Sequence, residues 1–168
     1  MTGLDPDQLV ECTIRPVLHG LGLWSVEAEE IDLGTALTES GGLRWIRQRP
    51  TGPARGLWQF ECATARDVLG RYLNRRDDLS RKVRAVVFPM TGARAFRNLD
   101  DAALGFALAN NLALGAALCR LIYLWVPAPL PTTPEGQAAY YVQHFNKGGA
   151  ATPEKYVAAW RRYQAARR

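Results

Sequence analysis

Glu39 is the acidic side chain whose setting best suits proton transfer. Apolar spacing predicts a helix that begins after Ser25 and stops at Gly41-Gly42, so Glu39 falls in its last turn. The unpaired carbonyls at a helix C-terminus are negative and disfavour a carboxylate. Partial desolvation would raise its pKa further. A carboxylic acid that keeps its proton near neutral pH can protonate a leaving oxygen. A second carboxyl nearby would add a base or a nucleophile. Glu61 is the candidate for that role, whereas Asp67 reads as a helix cap.

The other side chains with binding or catalytic potential fall in ordered blocks. Glu39-Ser40 comes first, then Gly56-Leu57-Trp58-Gln59. Asn111-Leu112-x-x-Gly115-x-x-Leu118 follows, and last comes Ala139-Tyr140-Tyr141-x-x-x-Phe145-Asn146-Lys147-Gly148. Cys12, Cys62 and Cys119 are widely spaced and form no CxxC, and His19 and His144 add no ligand pattern. The reading is three buried thiols, no disulfide framework, no metal and no cofactor.

The elements that must position these groups are helical. Asp5-Pro6 caps a first helix, with Pro16 expected to kink it. Ser25 caps the second. Residues 41–59 show neither helical nor strand periodicity and read as a long loop or a short irregular hairpin, the kind of segment that usually carries function. Thr64-x-x-Asp67 reads as a capping-box variant opening a helix over 65–75. Asp78 starts another, which ends before Pro89. Residues 102–126 are the most apolar stretch. Asn110, Asn111 and Arg120 lie inside it, so it reads as one buried central helix or two short ones rather than a membrane span. Thr133-Pro134-Glu135 and Thr152-Pro153-Glu154 open the last two helices, at 134–146 and 153–167. The expectation is an all-α fold, one domain over residues 1–168.

Charge divides the chain. Residues 1–39 hold eight acids and one base, and residues 40–168 hold eight acids and twenty bases. Eighteen of the twenty-one bases are Arg, suited to bidentate contact with carboxylate or phosphate. An anionic partner is implied, but no nucleic-acid-binding motif accompanies the charge. Trp45 and the arginines at 44, 47, 49 and 55 are either contacts for an anionic polymer or a solvated face.

The ordered blocks resemble the soluble lytic transglycosylase and goose-type lysozyme superfamily. There, Glu-Ser is followed by Gly-Leu-Met-Gln, Asn-Ile-x-x-Gly-x-x-Tyr-Leu and Ala-Tyr-Asn-x-Gly. The resemblance covers about residues 30–150. The segment TESGGLRWIRQRPTGPARGLWQFECAT, the run Arg120-x-x-Tyr123 with Pro127 and Pro131, and the tail FNKGGAAT are similar to phage-encoded, virion-associated lysozyme-like proteins.

The resemblance implies a lysozyme-like helical domain that cleaves the glycan strands of peptidoglycan, as a lytic transglycosylase or a muramidase. Glu39 takes the place of the catalytic acid. Ser40, Gly56, Trp58, Gln59, Tyr141, Phe145 and Asn146 take places along the substrate. Gly56 would let the backbone pass close to sugar. Trp58 stands where Met is usual and either stacks on a pyranose or fills the core. Gln59 and Asn146 would bond substrate or backbone. Phe145 replaces the usual Tyr, and Tyr141, one helical turn earlier, is the candidate to supply the hydroxyl. Asn111 reads as structural. With one strong acid, the balance favours the transglycosylase.

The alternative is a structural virion or tail component that cleaves little or nothing. The N-terminal residues have no basic start and no apolar run, so no signal peptide is expected. The expected route is synthesis in the host cytoplasm, action in the cell wall or periplasm, and association with other virion proteins.

Overall fold

The computed structural model describes residues 3–87 and 99–167. Among the described residues the fold is all-α. The elements are α1 (Pro6–Leu9), α2 (Arg15–Leu21), α3 (Val26–Glu39), α4 (Cys62–Asp67), α5 (Asp77–Val87), α6 (Asp101–Asn110), α7 (Leu112–Leu124), α8 (Pro134–His144) and α9 (Pro153–Ala166). There is no strand among them, only isolated bridges in the 47–60 loop.

Side-chain caps set most of the starts. Asp5, Ser25, Asp100, Thr133 and Thr152 each accept a hydrogen bond from the backbone N–H three residues on. A π turn, Val10–Ile14, joins α1 to α2 without a break. It ends two residues before Pro16, which has no N–H to give and whose ring crowds the preceding turn. The expected kink is thus met by a widened turn. The capping box proposed at Thr64 is not used: α4 starts earlier, with Glu61 at its N-cap position and no side-chain cap. Asp67 is not a cap either, and pairs with Arg71 across one turn at 3.5 Å.

α3 is the centre of the molecule. Residues 31–37 are all buried, leaving no polar face. It packs against α2, α7, α8 and α9. Gly34 makes the α9 contact possible, because a Cβ there would lie within 2.3 Å of Tyr156 Cζ. The apolar 102–126 stretch is two helices, α6 and α7, which meet at 97°. Asn111 makes the corner. Its extended backbone ends α6, its Oδ1 caps the Leu114 N–H, and its Nδ2 donates to Val87 O. No single helix among the described residues is long and apolar enough to cross a membrane. The three thiols are free but not alike: Cys119 is buried, Cys62 half-buried and Cys12 exposed. Only Cys119 therefore behaves as the expected core group.

Candidate active site

Glu39 is the last residue of α3, and the chain beyond it turns sharply. Ser40 ends the helix, Gly41 takes φ +63°, and the Gly42 N–H returns to Leu37 O at 2.8 Å. This is the left-handed closure that glycine permits at little cost. Glu39 itself meets the end of α8. Its Oε1 accepts the Tyr141 hydroxyl at 2.6 Å and the Asn146 Nδ2 at 3.0 Å. Burial holds the Glu39 pKa above the ordinary carboxylate value, while the bonds from Tyr141 and Asn146 pull the other way. Tyr141 is itself pushed up, by burial and then by the Glu39 charge, so it remains a donor.

The two partners are held by different means. Tyr141 is fully buried on α8, stacked beside Phe145 and tilted against Tyr156. Asn146 lies just past the helix end, its N–H on Tyr141 O. Its Oδ1 accepts from the Ala151 N–H at 3.3 Å, so one amide ties the 146–151 loop to Glu39. Gly149 must stay small here, because a Cβ would fall 2.0 Å from Asn146 Oδ1.

The other residues assigned to the site do different things. Ser40 is buried; its hydroxyl donates to Ala36 O and accepts from Leu43 N–H, so both roles go to the helix end. Gly56 has φ +76°, and a Cβ there would meet Leu108 O at 2.3 Å. Its close approach is to the end of α6 rather than to a ligand. Trp58 is 1% exposed, bonds Asp32 O through its indole N–H at 3.1 Å, and fills the notch left by Gly115. It cannot present a face to sugar. Gln59 has φ +48° and spends its amide N–H groups on Gly56 O and Trp45 O. No hydrogen bond joins it to Glu39 among the described residues. Phe145 is half-buried among Phe60, Tyr123 and Tyr141. Glu61 is exposed at the start of α4, and among the described residues it is burial, Tyr141 and Asn146 that shift Glu39.

The sequence reading missed Asp32. It lies seven residues before Glu39 on the same face of α3, is fully buried, and neither carboxyl oxygen has a hydrogen-bond partner. Burial pushes its pKa well above the usual range, against the pull of Trp58 and Arg120. A lone acid inside the apolar run Ile31–Leu37 was the available signal.

This arrangement can do one-acid chemistry. Burial favours the protonated form of both Glu39 and Asp32, but Asp32 is fully buried, and only Glu39 has an oxygen fixed by two donors. Comparison with known proteins adds no relative: no family model, no curated protein and no solved structure matches the chain.

Proposed function

We propose that the protein cleaves the glycan strands of bacterial peptidoglycan from a lysozyme-like domain of the lytic transglycosylase type, with Glu39 as its acid. The observation that carries this is the Glu39–Tyr141–Asn146 cluster. Both donors bond Oε1, which leaves Oε2 to carry the proton in a setting that favours the neutral form. The hydroxyl that Phe145 lacks is supplied by Tyr141.

In the proposed step, Oε2–H gives its proton to the glycosidic oxygen as the C1–O bond breaks. The N-acetyl carbonyl oxygen of the same sugar takes the positive charge developing at C1. Tyr141 and Asn146 stabilise the Glu39 carboxylate so formed. That carboxylate then takes the proton of the C6 hydroxyl, whose oxygen closes on C1 to give a 1,6-anhydro ring. Among the described residues Glu39 is bonded by Tyr141 and Asn146 and by no second carboxylate, which favours this route over hydrolysis, which ordinarily enlists one. The setting of the activity is the cell wall or periplasm, with a phage virion as the vehicle.

The test is to incubate purified protein with peptidoglycan and identify the released fragments by mass. Anhydro-muropeptides are expected, with release by Glu39→Gln reduced roughly 10²–10⁴-fold. Reducing ends would make the reaction a hydrolysis. Release no greater than that of Glu39→Gln would favour the non-cleaving virion component.

A further inference from the structure

Beyond the turn that follows Glu39 the chain displays a surface that cleavage alone does not require. The Trp45 ring lies over Gly41, where a Cβ would meet it at 2.6 Å. Trp45 is 42% exposed and Ile46 52%. Residues 40–60 contain four arginines and no acid. None of the four is in an ion pair among the described residues, although Arg15, Arg66, Arg71, Arg81, Arg161 and Arg167 all are.

The display is braced. Gly56 N–H donates to Ile46 O, Gln48 N–H to Ala54 O, and the Gln59 amide to Trp45 O. Arg55 is part of this frame, with its guanidinium on the Gly52 and Ala54 carbonyls. Arg44 donates to Gly41 O and lies over the Trp45 ring. Arg47 and Arg49 project from the frame as exposed, uncompensated cations. Like charges gathered on one hydrogen-bonded loop repel one another, so the arrangement favours an anionic ligand. Guanidinium groups match carboxylates in particular.

We propose that this loop docks the peptide arms of the strand. The inference rests on the reading of Glu39 as a glycan-cleaving acid. The sugars of intact peptidoglycan are neutral N-acetylhexosamines, and its negative charge lies on the carboxylates of the peptides. An exposed indole packed on the turn that follows Glu39 suits the apolar face of a sugar ring. Arg47 and Arg49, further along the loop, suit carboxylates hung from that ring. The preferred substrate is therefore peptide-bearing glycan rather than stripped glycan.

The experiment separates docking from cleavage. Full-length Glu39→Gln protein is co-sedimented with insoluble peptide-bearing sacculi. Strands stripped by an amidase, which keep one lactyl carboxylate per disaccharide, and duplex DNA serve as competitors. Binding to sacculi is expected to be at least about threefold tighter than to stripped strands, and to weaken as ionic strength passes about 0.15 M. Adding Arg47→Gln and Arg49→Gln is expected to remove that preference without changing the melting temperature. Trp45→Ala is expected to weaken both strands alike. Equal binding of the two strands, an unaltered preference in the arginine variant, or DNA competing as well as sacculi would overturn the proposal. Wild-type protein that shows the preference but releases no fragments would overturn the cleavage reading and leave the docking surface standing.

Discussion

Tyr141 donates its hydroxyl hydrogen to Glu39 Oε1 across 2.6 Å, from a residue one helical turn before Phe145. Tyr141 lies on α8 and Phe145 follows its last residue, one turn on, where the two rings stack. Phe145 completes an aromatic cluster with Phe60 and Tyr123, and Tyr141 supplies the polar contact.

Tyr141→Phe tests this pairing by its pH profile. The hydroxyl favours the Glu39 carboxylate, so its loss raises the Glu39 pKa further. An acid catalyst works only while protonated, and rate falls as pH rises through its pKa. The alkaline limb of muropeptide release should therefore move to higher pH. The plateau should fall about 10–100-fold, the cost of one hydrogen bond to a charged group. A limb that stays in place would show that Tyr141 does not couple to the reacting proton.

Glu39 also makes the fold sensitive to pH. Its folded pKa is raised, whereas an unfolded glutamate titrates near about 4.3. Between those values the folded chain binds more protons than the unfolded one, so stability falls as pH rises through the window. Glu39→Gln keeps an acceptor for Tyr141 and Asn146 and removes the titration. Its melting temperature should match wild type below about pH 4 and exceed it at neutral pH. A constant offset at all pH values would contradict the raised pKa.

How much of this was legible depended on the range of the interaction. Thr133, Thr152, Asp5 and Ser25 act within three residues, so their caps could be read directly. Tyr141 and Asn146 were reachable because the end of one helix and the start of a loop limit where they point. Trp58 was not decided by its neighbours. Whether its indole turned out to sugar or inward depended on the notch at Gly115, fifty-seven residues away in sequence. Thr64 failed as a start signal because Glu61 already stood in extended conformation at the boundary.

Gly56 is where the loop meets the body of the protein. Its φ of +76° disfavours any side chain, and a Cβ would press on a backbone carbonyl, Leu108 O, that has no rotamer to escape into. Gly56→Ala should destabilise by roughly 2–4 kcal/mol, from the left-handed conformation together with overpacking. Gly42→Ala is the control: it has a similar φ but nothing within 4 Å of its Cβ position. It should lose only the conformational part, about 1–2 kcal/mol. Equal losses in thermal or denaturant melts would mean that α6 moves aside freely.

Asp32 separates two accounts of the core beneath the site. If it is neutral, burial has won, as its unpartnered oxygens and raised pKa indicate. If it is ionised, Arg120 has won, yet the Arg120 Nε is on Leu23 O and its own pKa is lowered by burial. The neutral form makes the same linkage as Glu39, beginning at the unfolded aspartate value near about 3.9. Asp32→Asn should then melt above wild type at neutral pH, with the difference shrinking steadily as pH falls toward that value. An ionised Asp32 paired with Arg120 predicts the opposite sign at neutral pH, because removing one partner strands the other charge in the core. Melting curves of the two proteins from about pH 4 to 8 decide between them. A neutral Asp32 adds no negative charge to the helix that carries Glu39, so the acid at the site is set by its own burial and its two donors.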